Sequence, residues 1–255
     1  NATTDLLVPA LIASALRHGI ALEVVEAPFD QAMQVAIDSD SIVNRASPDV
    51  VLLAFDHRAL GLTGLMNKPD AADHSIEKIR RIKDGIHAGC GAPLILQTIP
   101  TPPESLFGSL DRYAKESRSA AIDNVNHQLA EICATTDDLL FDVAALARTV
   151  GEENWHEPSA WHMAKLAFAQ QAVPLYADAF GRLIGAMRGN SRKCLVLDLD
   201  NTLWGGVIGD EGLEGIDLGQ GTATGESFLA IQQMALDLRH RGILLAVCSK
   251  NDETI

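Results

Sequence analysis

The chain has 255 residues, 47% of them hydrophobic, and a formal net charge of −14. That length supports one large or two ordinary domains with ample core material. The acidic balance excludes a basic nucleic-acid-binding face and adsorption to anionic membranes, and no apolar run has the length of a membrane-spanning helix. The four cysteines, Cys90, Cys133, Cys194 and Cys248, are widely spaced with no CxxC pair, and no signal-peptide pattern is legible. They read as free thiols of a cytoplasmic protein.

The first two thirds alternate helix and strand. Residues 5–18 place Leu6, Leu7, Ala10, Leu11, Ala13 and Leu16 at helical spacing and stop at Gly19. Residues 20–26 predict a strand, 29–37 a short helix, 49–55 (DVVLLAF) a strand of the buried parallel kind, and 72–88 an amphipathic helix. Residues 93–97 predict another strand, followed by the breakers Pro100, Pro102 and Pro103. A helix over 118–133, a short strand over 139–142 and a helix over 168–187 ending at Gly189-Asn190 complete this part. Strands alternating with helices imply an α/β domain: a parallel sheet with helices on both faces. The domain boundary falls near Gly189.

Residues 193–206 read KCLVLDLDNTLWGG. Leu195, Val196 and Leu197 predict a buried strand that ends in Asp198 and Asp200, with Thr202 and Trp204 following. In open α/β sheets chemistry sits beyond the carboxyl ends of the strands. Two carboxylates there repel each other unless a cation lies between them. Magnesium suits such a site, because it takes one or two carboxylates and keeps positions for water and phosphate. One carboxylate can attack a phosphoryl group while the second protonates the leaving oxygen and then activates water. Residues 204–219 predict a hairpin flap with Asp210-Glu211-Gly212 at its turn. Residues 224–241 predict a helix capped by Thr224 or Ser227, and 243–247 a strand running into Cys248 and Ser249. The interval between Asp198 and Ser249 leaves no room for a large cap domain, so the site is expected to be open.

Asp198-Leu199-Asp200-Asn201-Thr202 resembles motif I, DxDx[TV], of the haloacid dehalogenase (HAD) superfamily. The longer run LDLDNTLWGGVIGDEGLEGI, continued by ILLAVCSKNDE, resembles the FkbH-like (HAD-IIIC) branch. The resemblance implies that Asp198 is the nucleophile and a Mg²⁺ ligand. Asp200 is the general acid/base and also a metal ligand, through its main-chain carbonyl. Thr202 supports the phosphate-binding loop, and Ser249 is the phosphate-binding hydroxyl of motif II. Cys248, beside Ser249, reads either as an acyl-carrying thiol or as a small residue ending a strand. The resemblance further implies a phosphorylated three-carbon substrate, 1,3-bisphosphoglycerate, and an acyl carrier protein that receives the glyceryl group in polyketide extender-unit synthesis. The motif III lysine and the motif IV acids do not occur in the chain, which therefore reads as a fragment. A plain HAD phosphatase acting on another phosphorylated substrate, and an inactive fragment or binding domain, are the alternatives.

Residues 1–189 resemble, more weakly, the SGNH-hydrolase-like domain that precedes the phosphatase domain in FkbH-like proteins, with the first strand missing. Residues 190–255 then form the N-terminal half of a HAD-like Rossmannoid domain, truncated before motifs III and IV. Ester hydrolysis by the first domain is not expected. The GxND block corresponds to Ala54-Phe55-Asp56-His57, and the closing DxxH block to Ser159-Ala160-Trp161-His162, which lacks the acid. Asp56, His57 and Arg58 read as a polar loop at a strand end. Trp155 and Trp161 are expected to pack at the interdomain corner, with His156 and His162 exposed. An acidic carrier protein needs a basic patch, for which Arg188, Arg192 and Lys193, or Arg80, Arg81 and Lys83, are the candidates.

Overall fold

The computed structural model describes residues 2–251. The chain divides into two units, Asn1–Arg188 and Gly189–Ile255.

In the first unit three strands, β1 (Val51–Leu53), β2 (Leu94–Gln97) and β3 (Leu139–Phe141), form a parallel sheet in the order β1-β2-β3. Val51 pairs with Leu94, and Ile95 with Leu139. Parallel neighbours need long crossovers. Helices α1 (Leu7–Arg17), α2 (Ala32–Ile37) and α3 (Ile42–Ala46) precede β1, and α4 (Ala71–Gly89) and α5 (Arg118–Ala134) make the two crossovers. Helices α6 (Val143–Val150), α7 (Glu152–Trp155), α8 (Pro158–Ala164) and α9 (Val173–Met187) follow β3.

Period-two alternation along central β2 builds a core on each face. Leu94 and Leu96 join Ile76, Ile79 and Ile82 of α4 and Ile122 and Leu129 of α5. Ile95 joins Leu11 of α1, Phe141, Trp155, and Tyr176, Phe180 and Ile184 of α9. The α1–α9 contact is close because Gly181 has no side chain; a Cβ there would sit 2.8 Å from the His18 ring.

Two buried polar groups lock the sheet. Gln97 donates from Nε2 to the Phe55 carbonyl at 2.7 Å and accepts from the Tyr176 hydroxyl at 2.8 Å. The Asp138 carboxylate is fully buried and lies 2.5 Å from Lys83 Nζ. It also accepts from the Leu94 amide at 2.9 Å and the Thr136 hydroxyl at 3.0 Å. Lys83 is thus a structural cation rather than part of an exposed docking patch.

Three expectations for this unit are corrected. Residues 20–26 form no strand, since none of the described strands pairs with them; Ile20 and Leu22 pack on the second core instead. The last helix starts at Val173, after a 3₁₀ turn over Gln170–Ala172, with Pro174 in its first turn, where the missing N–H costs nothing. Trp155 is fully buried in this unit's own core, stacked on Phe168 at 4.7 Å, rather than at a domain corner.

In the second unit, β4 (Cys194–Leu197) and β5 (Leu244–Val247) pair in parallel across the crossover helix α11 (Ala223–His240). The apolar run of β4 predicts full burial, yet Val196 is 59% exposed and Leu244 of β5 69%. Two strands and one long helix, among the described residues, cannot cover both sheet faces. The flap after β4 closes with backbone hydrogen bonds in both directions between Gly205 and Asp217. Its tip is helix α10 (Ile208–Gly215), kinked at Gly212 (φ 67°), and not a β-turn. Helix α11 is capped by Thr222, not Thr224 or Ser227: its hydroxyl accepts from the Gly225 amide at 2.9 Å and donates to Asp217 at 2.7 Å. Thr222→Ala should therefore cost the second unit about 1 kcal/mol, whereas Thr224→Ala should be near neutral. Denaturant titration followed by helical circular dichroism separates the two.

Candidate functional site: strand-end acids and a neighbouring serine

The parallel register of the second unit brings its two motifs together. Leu197 lies opposite Val247, and the Cys248 amide donates to the Leu197 carbonyl at 2.9 Å. Asp198 and Ser249 therefore emerge at the same end of adjacent strands. Asp198 is exposed and Ser249 half-buried. Cys248 is an exposed free thiol between β5 and Ser249.

Beyond Asp198 the chain turns tightly. The Thr202 and Leu203 amides both donate to the Leu199 carbonyl, at 3.1 and 2.8 Å. Asn201 takes the left-handed conformation (φ 55°) and accepts from the Gly206 amide at 3.0 Å. Asparagine suits that backbone better than most residues. The turn sets Asp200 among donors: its Oδ1 accepts from the Trp204 indole and the Ile208 amide, each at 3.1 Å. Asp198 Oδ1 accepts from the Leu199 amide at 2.8 Å, and Ser249 Oγ from the Asn251 amide at 3.2 Å.

Burial pushes the Asp200 carboxyl upward, but the Ile208 amide, the Asn251 side chain and the Trp204 indole outweigh it and hold the group below the usual carboxylate range. The Asn251 side chain favours the ionised Asp200 carboxylate, and its Nδ2 is buried. Among the described residues no three acids, histidines or cysteines converge as a metal cluster. Asp198 and Asp200 nonetheless offer only oxygen donors, which is the set magnesium takes when water and phosphate complete its shell.

The first unit carries a second polar cluster at the carboxyl end of β1. Asp56 accepts from the Arg58 and Ala59 amides at 2.9 and 3.1 Å, and from Arg58 Nη1 at 2.7 Å. The Arg58 guanidinium lies 4.2 Å from the centroid of the Trp161 ring. The His57 ring meets that of His156 edge-on at 6.2 Å, and His156 Nε2 donates to the Thr101 carbonyl at 3.2 Å. Arg118 Nη2 donates to the Glu104 carbonyl and carboxylate at 2.9 and 2.8 Å.

His156 is thus part of this cluster and not an exposed surface residue, while His162 is exposed. Neither Arg118 nor Glu104 is singled out by the sequence, since they lie far from Asp56 along the chain. His156 did carry a signal: Glu153-Asn154-Trp155-His156 places an acid three residues before a histidine.

Burial lowers the His57 imidazole to about 4; Asp56 opposes this, and Arg58, His156 and Arg118 reinforce it. His156 is lowered too, by burial first, against the Thr101 hydrogen bond. An unfolded histidine binds its proton near pH 6.5, so the unfolded state takes up more protons between that pH and the folded value. Stability is full above about pH 6.5 and falls with acidification, by about 3 kcal/mol for His57 alone by about pH 4. Denaturation midpoints measured across that range should show this slope, and His57→Asn should flatten it.

The fold and the strand-end acids define a two-unit α/β protein with an acidic, oxygen-lined site. The model of the FkbH N-terminal domain matches residues 1–184, and the chain belongs to that family. A crystal structure of the N-terminal part of the protein BF1531 from Bacteroides fragilis, containing a phosphatase domain and complexed with Mg, superposes with a TM-score of 0.88 at 27% identity. The match covers 99% of this chain and 68% of that one. No curated protein matches. Among the described residues no helix is long and apolar enough to cross a membrane.

Proposed function

We propose that the second unit is a Mg²⁺-dependent phosphoryl-transfer site of the HAD type, serving glyceryl transfer to an acyl carrier protein. The observation that carries the reading is the placement of Asp198 and Ser249 at the ends of adjacent parallel strands, joined by the Cys248–Leu197 hydrogen bond. The phosphatase domain and magnesium of the Bacteroides fragilis structure support it. Asp198 and the Asp200 main-chain carbonyl would hold the metal, which when bound neutralises charge on the phosphoryl oxygens.

An Asp198 oxygen attacks phosphorus, and the bond from phosphorus to the leaving oxygen breaks. Asp200 gives that oxygen a proton, then takes one from the water that releases phosphate from Asp198. The donors around Asp200 favour its ionised form, which suits the second step. A phosphate dianion alongside raises its pKa by like-charge repulsion, which suits the first. Ser249 binds a phosphoryl oxygen, and Thr202 braces the turn. Cys248 is an exposed thiol in reach of the same strand ends and is the candidate to carry the glyceryl group.

For carrier docking, Arg80 and Arg81 are exposed on α4, as are Arg192 and Lys193 before β4. Lys83 is withdrawn by its Asp138 pair, and Arg188 lies 3.7 Å from Asp49. The test is to incubate the protein with Mg²⁺, 1,3-bisphosphoglycerate and a holo acyl carrier protein, and to weigh the carrier by intact mass spectrometry. A glyceryl adduct supports glyceryl transfer. Phosphate release with no adduct reduces the activity to that of a plain phosphatase.

A further inference from the structure

We propose that His57, Arg58, Arg118 and His156 of the first unit form a second site, which binds a small oxyanion, the carboxylate or phosphate group of a ligand. It is built from residues of the first unit alone. Four observations carry it. The cluster sits at the carboxyl end of β1, where parallel sheets place their ligands.

Both guanidiniums are held in place before any ligand arrives. Arg58 is fixed by Asp56 and by the face of Trp161, and Arg118 by Glu104. Arginine is the residue suited to planar or tetrahedral oxyanions, because its N–H groups form a rigid fork.

Arg118 is 8% exposed, and its Nε is buried with no hydrogen-bond partner. A buried charged donor left unpaired is costly, and an oxyanion oxygen satisfies it. The two imidazoles complete the set. Both are kept neutral by burial and by the neighbouring arginines; His57 can offer its N–H, whereas the His156 N–H is spent on the Thr101 carbonyl and its second nitrogen donates only after taking a proton. An anion among them offsets the arginine charge, which strengthens the His57 N–H as a donor and favours proton uptake at His156. Glu104 is about half exposed, and its side chain marks the edge from which solvent reaches the cluster.

The test uses the imidazole NMR signals of His57 and His156 in the whole chain near neutral pH, titrated separately with inorganic phosphate and with acetate. Saturable shifts of both histidines with either anion are expected. The anion that binds more tightly identifies the ligand group as phosphoryl or carboxyl. Glu104→Gln keeps the main-chain carbonyl and a side-chain oxygen to hold Arg118 but removes the competing charge, and should tighten binding about fivefold, the equivalent of one modest Coulomb contact. Arg118→Gln should weaken it by tenfold or more.

Ser249→Ala, which impairs the proposed phosphate site of the second unit, should leave the histidine response unchanged. The two sites therefore fail independently. No saturable shift with either anion overturns the proposal. So does an affinity that Glu104→Gln leaves unaltered, or a histidine response lost in Ser249→Ala. The Glu104→Gln arm remains decisive if Arg118→Gln does not fold.

Discussion

Asp198→Asn should lower Mg²⁺-dependent phosphate release from an aryl phosphate by about 10⁴-fold or more, the usual cost of removing a covalent nucleophile. The substitution is nearly isosteric. The Leu199 amide, which donates to Asp198 Oδ1 at 2.8 Å, finds the same acceptor in an asparagine side chain. The change also removes one of two neighbouring carboxylates and with it their repulsion. The variant should therefore unfold at the same denaturant concentration as the parent or a higher one. Steady-state kinetics and a denaturation curve on the same preparation separate lost chemistry from lost fold. Asp200→Asn should also be inactive, but it should in addition loosen the flap, because its Oδ1 ties both Trp204 and Ile208 to the turn.

Asp138→Ala should destabilise the first unit by about 3–5 kcal/mol, the cost of breaking a buried ion pair from one side. Three groups lose their acceptor at once: Lys83 Nζ, the Leu94 amide of the central strand, and the Thr136 hydroxyl. The buried ammonium is the most costly of the three. Trp155, buried in the same unit, provides a fluorescence signal for the denaturation curve. Burial raises the Asp138 carboxyl, but Lys83, the Leu94 amide and Thr136 overcome this and hold it below its usual range. Its contribution is thus complete above an unfolded carboxylate pKa of about 3.9 and disappears as pH falls through the lower folded value. Lys83→Met combined with Asp138→Leu should recover much of the loss, since a well-packed apolar pair can replace a buried ionic one. A wild-type-like Asp138→Ala protein would show that the pair contributes nothing.

Elements with strong local signals were legible in the sequence. The 3.6-residue spacing of Ile76, Ile79, Ile82 and Ile86 marks α4, and the apolar runs around Leu52 and Ile95 mark β1 and β2. The chain divides between Arg188 and Gly189, just past the end of α9. What depends on partners distant in sequence was not legible. Residues 20–26 have strand composition, but a strand exists only with a neighbour. The burial of β4 was over-read, because an apolar run tells nothing of how many layers cover it. The cap lies two residues before Thr224 and five before Ser227, since Thr222, Thr224 and Ser227 all carry hydroxyls and the flap's Asp217 selects the first. At the second unit's site, Asp198, Asp200 and Ser249 were legible as a motif, whereas the donors from Trp204 and Ile208 depend on how the flap folds back. The first unit's cluster was half legible: Asp56, His57 and Arg58 are contiguous, but Arg118 and His156 reach them only through the fold.

The measurement that bears most directly on the central claim is the identification of the phosphorylated residue. The protein is mixed with Mg²⁺ and a reactive acyl phosphate, quenched in acid during turnover, and its peptides are analysed by mass spectrometry. One phosphoryl group on Asp198 is expected, absent without Mg²⁺ and absent from Asp198→Asn. Phosphate release with no phosphoryl group on Asp198, undiminished in Asp198→Asn, would contradict it.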